Sequence, residues 1–230
     1  MTGKSKLCAV ITGDIVKSSE FDYAARNQLI DYLHSSFNLI EKQLELGSSI
    51  LLPFEIYRGD SFQVVLSSPE RALISSVLLS LRLMLFYSGK KPVNSRISIG
   101  IGTIDYIPES GNIGEADGLA FRLSGKNLDK MKQRGQKLLV STQNPSLNLM
   151  FESQCAFFDF LADRWTPVQK EILSGKLSGL TQEEIAYKQG KSQSSISQSL
   201  KSAGFNVIKT FVGNYEELFK EQGIFVRGDE

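Results

Sequence analysis

The sequence predicts an α+β protein: a ferredoxin-like sheet with helices, followed by a small all-α helix-turn-helix domain. Three observations lead there. Up to about residue 142, β-branched runs alternate with stretches of helical period in the order β-α-β-β-α-β, with an α-β unit appended. Beyond residue 148 the strand patterns stop and apolar residues recur at helical spacing. Between residues 180 and 203, small, glycine and branched residues fall where two crossing helices need them. The expected division is residues 1–145 and 150–230, with the polar stretch 144–148 as linker.

The first strand is LCAVITGDIV, residues 7–16, apolar and broken by Gly13-Asp14. Leu29, Ile30, Leu33, Phe37, Ile40 and Leu44 then recur three and four apart, one face of a long helix over about 21–46 that Gly47 stops. Residues 50–68 form two β-rich runs around Arg58-Gly59-Asp60-Ser61, a hairpin with a carboxylate at its tip. Pro69 opens an apolar helix to about 87, and SRISIGIGTIDYI, 95–107, is a central strand. A glycine loop, a helix over about 117–133 and a strand at 137–142 complete the first part, its helices expected on one face of the sheet.

Composition narrows the setting. The 230 residues hold 26 basic and 25 acidic side chains, a net charge of +1, so affinity for nucleic acid has to be local. Only Cys8 and Cys155 are present, best read as buried reduced thiols. His34, the one histidine, has no second metal-type ligand near it in sequence. Neither a signal-peptide apolar region nor a membrane-spanning run is visible, which points to a cytoplasmic protein without a membrane partner.

Asp14 ends the first strand and Asp60 caps the hairpin, and in a ferredoxin-like sheet those ends can meet. Converging carboxylates suit Mg2+, which keeps several waters and takes one or two carboxylates plus substrate phosphates. The turn after Asp14 offers Lys17, Ser18 and Ser19 to phosphate oxygens, with Arg58 near the tip as a further cation. The plainer alternative is that Asp and Gly are turn residues and Ser18-Ser19-Glu20 is a helix cap.

Thr12-Gly13-Asp14-Ile15 with Ser18-Ser19, then Arg58-Gly59-Asp60-Ser61-Phe62, Arg96 to Gly102, and Ala120-Phe121-Arg122-Leu123 resemble class III nucleotidyl cyclases over residues 7 to about 142. That resemblance implies metal ions held by Asp14 and Asp60 with the Ile15 carbonyl, over a nucleoside triphosphate, and Arg122 as the catalytic phosphate-stabilising arginine. Two positions depart from it. Gly118 stands where the cyclases carry an asparagine four residues before that arginine, and Ile56 replaces their adenine-reading lysine. The whole pattern VITGDIVKSS, RGDSFQ, ISIGIG and ADGLAFRLSGKNLD, with the C-terminal helices, is similar to the SatD family.

In the second part, Thr166-Pro167 starts a helix and Thr181 with Glu184 forms a capping box for another. With Gln182 as the first position, Ala186 is the fifth, Gly190 the ninth and Ile196 the fifteenth, spacing that resembles LuxR-type and sigma region-four helix-turn-helices. Gln193, Ser194, Ser195, Ser197, Gln198 and Lys201 would face double-stranded DNA, with six lysines against three glutamates between 166 and 210. A helical hairpin whose Ser/Gln face serves oligomerisation is the alternative. Phe205, Val207, Ile208, Phe211, Val212, Tyr215, Leu218 and Phe219 make the core face of a last helix.

The expectation is a homodimeric DNA-binding transcriptional regulator whose cyclase-like domain binds Mg2+ and a nucleotide or other phosphorylated small molecule. One alternative is a metal-dependent nucleotidyl cyclase or nucleotidyltransferase with a DNA-binding module; another leaves the first domain only the task of dimerisation.

Overall fold

The computed structural model describes residues 7–57, 59–88 and 91–220. Strand β1, Cys8–Ile15, is buried at all eight positions, as a strand covered on both faces must be. Helix α1, Tyr23–Leu44, starts at Asp22, whose side chain accepts from the Ala25 N–H, and buries Leu29, Leu33, Phe37 and Ile40. Strands β2 (Ile50–Tyr57) and β3 (Ser61–Leu66) form the expected hairpin, with Gly59 at φ +76° in its turn. A 3-10 turn over Pro69–Arg71 leads into α2 (Ala72–Leu83), and a short hairpin of β4 (Tyr87–Ser88) and β5 (Lys91–Pro92) precedes β6 (Ser95–Gly102). Then come α3 (Leu119–Arg134) and β7 (Leu138–Ser141).

The sheet order is β2-β3-β1-β6-β7. Its first four strands are antiparallel in the ferredoxin-like order, and β7 joins β6 in parallel through the α3 crossover. Helices cover both faces, not one. Ala9, Ile11, Val64, Ile97 and Ile99 share the main core with α1 and α2, while Val10 and Val65 pack with Ala120 of α3 on the other side. Glycine makes that second layer possible: a Cβ on Gly100 would stand 2.2 Å from the Ala120 carbonyl oxygen and 2.6 Å from the Ser124 nitrogen. Strand β6 also ends at Gly102 rather than near 107, because α3 takes over the packing there.

Residues 144–148 are not a linker. Asn144 caps α4 (Pro145–Ala162), accepting from the N–H groups of Ser146 and Leu147 at 2.9 and 3.2 Å, so the polar stretch is a helix start. Beyond it lie α5 (Pro167–Leu177), α6 (Gln182–Gln189), α7 (Gln193–Ser202) and α8 (Phe205–Lys220). Ile172, Leu173, Ile185, Ile196 and Tyr215 belong to the same apolar cluster as Leu73 and Leu78 of α2. Tyr215 Oη donates to the Pro69 carbonyl at 2.9 Å, and the Trp165 indole N–H to the Ala203 carbonyl at 2.8 Å, so both buried polar atoms are satisfied.

Cys8 and Cys155 are both buried, and burial pushes the Cys155 thiol up from its ordinary value. Among the described residues, no helix is long and apolar enough to cross a membrane.

Asp159 of α4 accepts from the Lys137 N–H at 2.8 Å, and desolvation raises its carboxyl to about 6. A carboxyl raised in the fold contributes stability that is complete below about pH 4, its unfolded range, and lost as the pH rises through 6. Asp159→Asn keeps the acceptor and removes the charge. It is expected to raise stability by on the order of 1–2 kcal/mol at pH 7 and by nothing at pH 4, read from thermal melts at both pH values.

Candidate functional site

The end of the sheet where β1 leaves the core gathers the polar residues. Strand alternation turns Val10, Thr12 and Asp14 toward α3. Asp14 lies opposite Ser61 of β3 and Arg96 of β6, is 5% exposed, and receives a fork from Arg96: Nε to Oδ1 at 2.7 Å and a terminal nitrogen to Oδ2 at 3.0 Å. Lys132, in the last turn of α3, adds Nζ at 3.5 Å from Oδ2.

Asp60 stands beside it on the backbone. Its carbonyl accepts from the Ile15 N–H at 2.9 Å, and its carboxylate accepts from the Ser18 hydroxyl at 2.5 Å and the Ser61 hydroxyl at 3.3 Å. Arg26 of α1 donates to the Ser18 carbonyl at 3.4 Å. Asp14, Ile15, Ser18 and Asp60 thus share one end of the sheet, but the two carboxylates have separate partners.

Hard oxygen ligands are present for Mg2+, yet the arrangement does not fit it. Both Asp14 oxygens are engaged by cations, and the Asp60 carboxylate is turned to the Ser18 and Ser61 hydroxyls, so the two carboxylates do not share a site.

The phosphate cradle expected after Asp14 also differs. Lys17 has a left-handed backbone, φ 60°, and pairs with Glu20 at 3.4 Å on the surface; Ser18–Glu20 is a single 3-10 turn. The N-terminus of α1 follows only at Tyr23, with the Asp22 carboxylate already on it, so the helix dipole is answered from within the chain. Ser19 is exposed in the 3-10 turn, and Arg58 lies outside the described residues. Sequence reasoning passed over Arg96 and Lys132. A lone cation in the run SRISIGIG, in phase with Ser98, Gly100 and Gly102, was the available signal.

Arg122 is in the first turn of α3, exposed, and paired with Asp105 and Asp117 at 3.0 Å each. The hydrogen bond to Asp105 and the two negative charges raise its pKa further. Ten residues of helix separate it from Lys132, roughly 15 Å of rise, so one chain does not bring Arg122 to Asp14. At Gly118 a Cβ would stand 2.5 Å from the Thr103 carbonyl oxygen and 2.7 Å from Ile104 Cα, which leaves no room for an asparagine.

The C-terminal hairpin forms as the spacing predicts. Thr181 and Glu184 exchange a capping box, Gly190 takes φ 60°, and Ala186 and Ile196 are buried. Gln193, Ser194, Ser195, Ser197, Gln198 and Lys201 are exposed on α7.

The family model described as the SatD family matches residues 8–217, from the first strand into the last helix. The chain belongs to the SatD family. No curated protein matches it. A solved structure it is similar to is the active GGEEF domain of a diguanylate cyclase from Vibrio cholerae, at 15% identity, over 60% of this chain and 84% of that one, with a TM-score of 0.42.

The family match corrects the expectation of a DNA-binding transcriptional regulator with a separate helix-turn-helix domain. SatD membership spans sheet and helices without a break, and the helices that carried the expectation share one apolar cluster with α2. The physical reason is that small, glycine and branched residues at that spacing are what any two closely crossing helices need. They specify a crossing and not what its outer face meets.

Substituting Gly118→Asn to restore the cyclase pattern is expected to cost about 1–3 kcal/mol through the clash with the backbone at Thr103 and Ile104. A fall in melting temperature checks this; an unchanged melt would show that the 103–105 segment yields.

Proposed function

We propose that this SatD protein acts on the phosphates of a nucleotide, as a nucleotidyl cyclase or nucleotidyltransferase, with residues 1–145 carrying the site and residues 150–230 bracing the helices behind it. The observation that supports this most is the meeting of the β1 end with the hairpin tip, where Asp14, Ile15, Ser18 and Asp60 come together in a ferredoxin-like sheet. That is the order and the place which the resemblance to class III nucleotidyl cyclases implies.

Arg122 takes the role of phosphate stabiliser in this reading. Its distance from Asp14 along α3 means that a second copy supplies it, so the working unit is a homodimer. Asp105 and Asp117 hold the guanidinium extended from the helix start, which limits the rotamer freedom lost on meeting a phosphate. Since Gly118 excludes the second donor, turnover is slow: one missing donor of this kind costs on the order of 100-fold or more in rate.

Purified chain incubated with each nucleoside triphosphate, with and without Mg2+, should melt at a higher temperature with at least one of them and release pyrophosphate slowly. Arg122→Ala, at an exposed position, should cut that release by about 100-fold while leaving the melt of the free protein unchanged. No shift and no pyrophosphate with any nucleotide would reject the proposal.

A further inference from the structure

At the end of β1 the residue implied as a metal ligand is already neutralised. The Asp14 and Arg96 side chains are 7% and 18% exposed, whereas Lys132 is 47% exposed. Asp14 itself meets two positive charges, with the enclosed pair innermost and the lysine outermost, shared with Asp129 at the surface. A dication entering beside Asp14 would face two cations and a carboxylate already bonded at both oxygens, while the Asp60 carboxylate on the neighbouring turn is held by the Ser18 and Ser61 hydroxyls. An anion would meet N–H donors that Asp14 leaves unused. Guanidinium offers five N–H donors and ammonium three, and Asp14 uses only part of them. Lys132 also touches Asp129, at 3.6 Å, so it exchanges partners at the surface on a long flexible stem.

We infer that Asp14 is the internal counter-ion of Arg96 and Lys132, and that this end of the sheet takes the phosphate oxygens of its ligand directly on those two cations, without a divalent metal. The ligand class, a polyphosphate chain such as a nucleotide carries, rests on the function proposed above; the metal independence rests on the ion cluster alone. On binding, Lys132 leaves Asp14 for a phosphate oxygen, and Arg96 keeps its fork on Asp14 while its remaining donors turn to the ligand. Asp14 competes with the incoming anion and sets its affinity.

The full chain is titrated calorimetrically with Mn2+ alone, with sodium tripolyphosphate in EDTA, and with a nucleoside triphosphate in EDTA or in Mg2+. The inference expects no heat from Mn2+ and binding of tripolyphosphate in EDTA. It expects that binding to weaken about tenfold in Lys132→Gln and to strengthen severalfold in Asp14→Asn, which removes the competitor. Lys132→Gln sits at a half-exposed surface position, so the test survives if Asp14→Asn fails to fold. Mn2+ binding by the wild type that Asp14→Asn abolishes would overturn the inference, as would polyphosphate binding seen only with Mg2+. Nucleotide binding that needs Mg2+ would leave the proposed function standing and remove this one. Tripolyphosphate binding in EDTA without any preference for, or turnover of, a nucleotide would do the reverse.

Discussion

The contact of α3 with strand β6 is the constraint on which the rest of this molecule depends. Gly100 lets the helix backbone come so near that a single methyl group would overlap the Ala120 carbonyl, and Gly102 repeats the approach at the start of the helix. That closeness fixes where α3 lies along the sheet. Its first turn then stands at the 103–118 loop, leaving no side chain room at Gly118, and its last turn stands over the end of β1, bringing Lys132 to Asp14. The absent asparagine and the neutralised carboxylate have a common origin in this packing.

A helix laid on a sheet this closely has to satisfy what it buries. On the α3 side Gln63 donates to Thr12 at 2.8 Å and Thr12 to Ser124 at 3.0 Å, while Asn127 donates to Ser141. The face toward α1 and α2 is apolar instead, with Ile11, Phe62, Val64, Ile97 and Ile99 in one core. The sheet therefore has a greasy side that drives folding and a polar side that fixes register, since a one-residue slip of β1 would put Thr12 and Asp14 into the apolar core. Ser98, buried in the polar seam with no partner for its hydroxyl among the described residues, marks where that accounting is incomplete.

The elements of the first part were legible because hydrophobic period and turn residues are local signals. The face of α1, the Gly59-Asp60 turn and the crossover from α3 to β7 all came out as their patterns imply. Whether helices cover one face or two was not legible, because it depends on glycines whose meaning appears only when α3 is set against them. The site was half legible for the same reason. Asp14 and Asp60 announce themselves by turn position, but Arg96 and Lys132 reach Asp14 from a strand and a helix 82 and 118 positions further along the chain. In the last third the spacing of Ala186, Gly190 and Ile196 fixed a crossing, and the crossing serves to close α5 to α7 against α2.

The electrostatics at the strand end follow from burial. A carboxylate this enclosed is costly to leave ionised alone, and a bidentate arginine is the partner that compensates it with the least loss of side-chain freedom. Once Arg96 is there, Asp14 needs no second cation, because one guanidinium already balances one carboxylate. Lys132 nonetheless comes to 3.5 Å from Asp14 and stays half in solvent. An exposed lysine contributes little to stability through such a contact. Lys132 stands between the enclosed Asp14 and the exposed Asp129, at 3.5 and 3.6 Å, so it is the outer partner of two carboxylates and the more exposed of the two cations at this end of the sheet.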